Sequence, residues 1–277
     1  VAPHVLGSRL NGTFTFENVA RTSGMLYFIE VNYDGVPQGT SIAGIEGTEE
    51  SVSTDIVLYE RTTEPDTVAI TWAEVLLNYA PIDQAGIEVW LNLELANTGN
   101  RIVTTDEVSE PNNWYVSVDV ELPVAAFGIQ PMQTENSQRY AVDMVDGVPI
   151  VKDTWPLRPG QAHTITIAYY LPYDTDAVIE HGFNYTVMDG MVLLPNDTVN
   201  FDSEQFDTTG VWRGRVSDDG VSVVALEDNE KINPDKDFTL IKAHDLQQAI
   251  TPDERMTFEL SGRPTRTLNP VSYTHLT

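Results

Sequence analysis

Apolar residues recur along this chain at every second position far more often than at every third or fourth. In GIEVWLNLELAN, Ile87, Val89, Leu91, Leu93 and Leu95 share one parity, and Glu88, Trp90, Asn92 and Glu94 take the other. Successive side chains of a strand point to opposite faces, so this pattern predicts a strand with one buried face. YVSVDVELP sets Val116, Val118, Val120 and Leu122 against Ser117, Asp119 and Glu121. TITIAYYLP aligns Ile165, Ile167, Tyr169 and Leu171, and MTFELSG aligns Met256, Phe258 and Leu260. Further strands are expected in TFTFENV, MLYFIEVNY and SVSTDIVLYE. DLQQAITPDE is the one stretch suited to a helical turn, and Pro252 limits it.

Between these runs stand Asn11-Gly12, Asp34-Gly35, Asp146-Gly147, Asp189-Gly190 and Asp219-Gly220. Such pairs accept the positive φ of tight hairpin turns, so most connections are expected to be antiparallel. Many short strands without intervening helices predict an all-β chain of two antiparallel β-sandwich domains. The break is expected in YERTTEPDTVAI, where Tyr59 closes a strand and a new one begins near Val68. That gives a first domain over 1–64, a larger one over 65–262 and an unstructured tail over 263–277. Three or four strands are too few for a closed sandwich of about seven, so the first domain reads as incomplete at its N-terminus.

Composition narrows the partners. Among 277 residues, 41% are hydrophobic, a globular level, and 42 acids against 15 bases leave a net charge of −27. Such a surface repels phosphate backbones and anionic lipid, which argues against nucleic acid and membrane-surface partners. Without cysteine there are no disulfides, thiolate metal sites or cysteine nucleophiles. No apolar run approaches the ~20 residues that span a bilayer.

Asn11-Gly12-Thr13-Phe14-Thr15-Phe16, followed by Glu17-Asn18-Val19, resembles the hairpin of carboxypeptidase-regulatory-like domains, small β-sandwiches of transthyretin type. YFIEVNYDGV looks like the strand that follows. LNLELANTGNR, WPLRPGQAHTITIAYYLPYD and MTFELSGRP resemble the larger β-domain that follows such a module in surface proteins of Chloroflexi-like bacteria. The resemblance implies strands and a signal peptide before Val1, and a linker and membrane helix after Pro270. VSYTHL resembles one reading frame of a transposon-end sequencing adapter, so 271–277 reads as translated adapter on a fragment.

The resemblance implies a non-catalytic, extracytoplasmic, anchored protein with a structural, adhesive or protein-interaction role at the cell surface. It does not extend to carboxypeptidase zinc chemistry. His4, His163, His181, His244 and His275 lack zinc-ligand spacing, with His163 placed at a strand start and His181 in a hairpin loop, both as surface packing. No G-x-S-x-G elbow occurs, and among 42 acids, pairs such as Asp218-Asp219 arise by chance.

Two candidate sites are open. EDNEKINPDKD gathers Asp228, Glu230, Asp235 and Asp237, oxygen donors of the kind calcium takes, although EF-hand spacing is absent and a solvated acidic turn accounts for the same residues. Beyond calcium no cofactor is expected. Trp90 falls on the polar face of its strand, where a flat ring can stack on sugar, and a loop packed over that face would instead make it core. Trp72, Trp114, Trp155 and Trp212 raise the same alternative, a carbohydrate-binding module of a secreted hydrolase. Sequons at Asn11, Asn184 and Asn196 arise readily by chance among the threonines.

Overall fold

The structure, a computed structural model, describes residues 15–17, 19, 26–42, 52–79, 86–110, 113–132, 139–195, 198–216, 223–225 and 237–264, with the backbone alone at 195 and over 211–216, 223–225 and 237–241. The described residues form strands, turns and loops without an α-helix. The chain divides into two compact units, Val1–Leu58 and Tyr59–Thr277.

In the smaller unit, Tyr27–Tyr33 and Val36–Ile42 form an antiparallel hairpin, in register from Tyr27↔Ile42 to Tyr33↔Val36. Asp34 and Gly35 turn it at φ 54° and 75°, the two positive values a two-residue turn needs to match strand twist. Two of the expected strands differ. SVSTDIVLYE enters no ladder over 52–60, because alternation makes a strand only where another backbone completes its hydrogen bonds. In TFTFENV, 15–17 and 19 are irregular, and the Asn11-Gly12 turn lies outside the described residues.

The larger unit is a sandwich of an eight-stranded and a six-stranded sheet. In spatial order the first runs Phe127–Pro131, Ala162–Leu171, Ile87–Asn97, Val68–Asn78, Gly190–Pro195, Asp237–Leu246, Phe206–Val216 and Val223–Ala225. The second runs Tyr140–Val145, Val148–Asp153, Val118–Glu121, Asp176–Phe183, Met256–Ser261 and Asn200–Asp202. Their inner faces share one core. Ile87, Val89 and Leu91 from the first sheet and Val118, Val120, Ile179 and Phe258 from the second are at most 1% exposed. The parity of the sequence is the parity of burial.

Within the eight-stranded sheet one ladder is parallel: Gly190–Leu193 pairs with Ala73–Leu76. Asp189-Gly190 is therefore no hairpin turn. Glycine is needed there because a Cβ would fall 2.5 Å from the Ala73 carbonyl oxygen. Asp146-Gly147 does turn a hairpin, at φ 50° and 85°.

The division after Leu58 precedes the expected break because the polar stretch is tied to the larger unit. Arg61–Thr62 pairs parallel with Ile102–Val103. The Arg61 guanidinium donates to Thr104 Oγ1 at 3.2 Å and the Thr105 carbonyl at 3.1 Å, and lies 4.0 Å over the Tyr115 ring. Near Pro252 a single turn forms, with the Glu254 carboxylate accepting from the Thr251 N–H and hydroxyl, both at 3.0 Å.

Candidate functional site

Parity carries an acid into the interior. Val151 faces the core of strand Val148–Asp153, so Asp153 faces it too and is 1% exposed. A carboxylate there costs several kcal/mol unless its oxygens are answered. The Arg139 fork donates to Oδ1 at 2.9 Å and Oδ2 at 2.5 Å, the Trp155 N–H donates to Oδ1 at 2.9 Å, and His163 Nε2 lies 2.7 Å from Oδ2. Burial alone would raise the Asp153 pKa, but Arg139 and His163 outweigh it and hold the group below the usual carboxylate value.

Arg139 is itself held. Its guanidinium lies 4.6 Å from the Tyr140 ring centre and 4.5 Å from that of Trp155, and it donates to the Thr164 carbonyl at 2.8 Å. Asp153 belongs to the six-stranded sheet, and His163 and Thr164 to the eight-stranded one. The group is a charged clasp across the sandwich. The His163 nitrogen that faces Asp153 is also 3.1 Å from Arg139 Nη2, so that nitrogen is not directed at a substrate.

A second group occupies the outer face of the six-stranded sheet. Lys152, 6% exposed, donates to Asp143 Oδ2 at 2.7 Å and to Glu107. Burial would lower its pKa, yet the two carboxylates outweigh this and hold it at about 12. Asp119 lies opposite Lys152 in the register, and its carboxyl is raised to about 6, first by burial and then by Glu107. Its Oδ1 is buried without a hydrogen-bond partner among the described residues. Arg255 answers Glu121.

Trp90 lies partly buried on the outer face of the eight-stranded sheet, between Leu76 and Ala168 in the register. Around it Asn78 donates to Glu88 at 2.7 Å, Tyr170 to Glu88 at 3.3 Å and Asn92 to Glu74 at 3.1 Å. Trp72 and Leu76 pack on buried Met191, Leu193 and Ala243, so this outer face is partly apolar.

The proposed calcium ligands Asp228, Glu230 and Asp235 lie outside the described residues, as does the side chain of Asp237, whose backbone opens strand Asp237–Leu246. His4, His275, the Trp212 side chain, Asn11 and Asn196 also lie outside them. His163 begins its strand as expected, but serves the clasp rather than surface packing. His181 is not in a loop: strand Asp176–Phe183 carries it inward to 0% exposure, 2.9 Å from the Tyr169 hydroxyl of the opposite sheet. Burial lowers its pKa to about 3. His244, 2% exposed, stacks 3.8 Å from Phe201 and meets Thr208 Oγ1 at 3.0 Å; burial, then Lys242, lowers its pKa to about 4. The Asn184 amide accepts from the Asp119 N–H at 3.2 Å and donates to the Ser117 carbonyl, a structural use of that sequon residue.

Sequence reasoning passed over Arg139, Asp153 and the place of His163 in the clasp. The alternation of VPIVKD already set Asp153 on the parity of Val151. Comparison with models of known protein families gives no match for this chain, and comparison with curated proteins gives none either.

Proposed function

We propose that the chain is a non-catalytic, extracytoplasmic β-sandwich protein, anchored to the membrane and serving a structural, adhesive or protein-interaction role at the cell surface. The observation that carries this reading is the use of the interior ionisable groups. Asp153, Arg139 and His163 answer one another and bind the two sheets together, which stiffens a displayed module and leaves its surfaces for contact. Expression of the complete gene with an epitope tag in the larger unit tests the display. Antibody labelling of intact cells, abolished by external protease, is expected. Labelling only after lysis would remove the reading.

A carbohydrate-binding module is favoured by one observation: Trp90, Trp72 and Tyr170 share the outer face of the eight-stranded sheet with Glu74, Glu88, Asn78 and Asn92. Saturable binding on a polysaccharide array, lost in a folded Trp90→Ala variant, would select this reading over the first.

A further inference from the structure

The four edges of the sandwich are not alike. Val223–Ala225 and Asn200–Asp202 have three residues each. Phe127–Pro131 is interrupted by a bulge between Phe127 and Gln130, with Gly128 at φ 60°, and ends in proline. Shortness, bulges and proline are among the devices that keep sheet edges from pairing with other chains. Tyr140–Val145 has none of these three, and its one charged residue, Asp143, is turned to Lys152. Its six residues pair in unbroken register with Val148–Asp153.

The outward groups of this edge follow from the ladder. The Thr154 N–H donates to the Arg139 carbonyl at 3.0 Å, so Arg139 and, in alternation, Ala141, Asp143 and Val145 turn their backbone groups inward to the neighbouring strand. Tyr140, Val142 and Met144 turn theirs outward, and no described residue meets them. Val142 is 44% and Met144 64% exposed, on the side of the strand that faces the core of the sheet pair. On the other side Asp143, Glu107, Asp119 and Glu121 outnumber Lys152 and Arg255.

We propose that the edge Tyr140–Val145 binds an extended polypeptide segment of a partner protein as a seventh strand of this sheet, the segment alternating apolar with basic side chains. Only an extended backbone matches alternating N–H and C=O groups on one line. Apolar side chains of the added strand cover Val142 and Met144, and lysine or arginine meets the acids on the outer face. A second copy of this chain fits poorly, since it would bring Asp143 and a net charge of −27 against their equals.

The probe is a fluorescein-labelled heptapeptide, blocked at both ends, in which valine or isoleucine alternates with lysine. Saturable binding by anisotropy is expected, with slowed hydrogen exchange at the Val142 and Met144 amides. Val142→Pro removes an outward N–H without breaking a ladder bond, so the fold survives and binding weakens at least tenfold. If that variant does not fold, the peptide N-methylated at its internal residues supplies the same test from the other partner, and it should not bind. Equal binding by the methylated peptide, or by one with serine in place of valine and isoleucine, would reduce the effect to surface charge and overturn the proposal. So would absence of saturable binding. Amides of Val142 and Met144 already protected in the free chain would mean that its own backbone covers the edge. A concentration-dependent dimer, lost in Val142→Pro, would make a second copy the occupant.

Discussion

Strand Ala162–Leu171 sends two polar side chains into the same interior, and the interior treats them differently. His163 at one end meets Asp153 and Arg139, and Tyr169, six positions on, meets His181. Six residues of strand span about 20 Å, and Ile165 and Ile167 between them share their face and are at most 1% exposed. Near the rim, where Arg139 can reach, the sheets are tied by charge. At Tyr169 and His181, both 0% exposed and with no described cation against them, the tie is a neutral phenol–imidazole pair. The reach of a cation, more than residue type, sets the charge of a buried tie.

The largest expected effect breaks the charged end. Asp153→Ala leaves the Arg139 guanidinium without its anion, and losing one partner of a buried pair costs about 3–5 kcal/mol, read as a lower urea midpoint. Acid tests the neutral end. The His181 pKa falls from 6.5 to about 3 on folding, so below pH 6.5 the unfolded chain binds the proton first, and stability drops progressively as pH falls towards about 3. At pH 5 the loss is about 2 kcal/mol. From pH 6.5 down to about 5 Asp153 contributes a constant amount, because the stability from its depressed pKa is lost only as pH falls through the usual carboxylate value and below. The double variant Tyr169→Phe/His181→Leu should show a shallower acid decline, retaining the part due to His244 between pH 6.5 and about 4.

Tyr169→Phe alone removes one hydrogen bond from a buried ring and should cost about 1–2 kcal/mol in thermal or urea unfolding. The smallest effect has the opposite sign and lies outside the core. Asp119 is raised to about 6, so its folded form gains in acid and loses as pH rises through 6. The full rise from 3.8 to about 6 would be worth about 3 kcal/mol at pH 7. Solvent screening of this partly exposed group cuts it, so Asp119→Asn should raise stability by about 1 kcal/mol at pH 7 and by far less at pH 4. A destabilised variant at pH 7 would mean that Lys152 depends on that carboxylate.

Strands whose burial is one-sided were legible. Ile87 to Leu95, Val116 to Leu122, Ile165 to Leu171 and Met256 to Leu260 were read from alternation, and each sits with its apolar parity buried. Alternation does not reveal whether a partner strand exists, and so SVSTDIVLYE reads as a strand where none forms over 52–60. Nor does it reveal partner direction: Asp189-Gly190 has the composition of a hairpin turn but leads into a parallel ladder. His181 in AVIEHGF shares the parity of Ile179 and Phe183, and that parity outranked its polarity. The clasp joins residues 139, 153 and 163 across two sheets, a geometry that spacing along the chain does not encode.

The parallel ladder has a consequence for the order of events on the ribosome. Both sheets are split by sequence. In the eight-stranded sheet, strands up to Leu171 lie on one side of the Ala73–Leu76/Gly190–Leu193 ladder, and later strands lie on the other. In the six-stranded sheet the split falls between Val118–Glu121 and Asp176–Phe183, joined through only Gly182↔Glu121 and Phe183↔Val120. The earlier half can pair all its own strands, and close the Arg139–Asp153–His163 clasp, before residue 176 leaves the exit tunnel. The nascent chain would then present a half-sandwich of finished backbone with one raw flank, Val68–Asn78 and Val118–Glu121, against which the rest of the protein pairs as it is made. Closure across more than a hundred residues of intervening chain is expected to be the slow step of such an assembly.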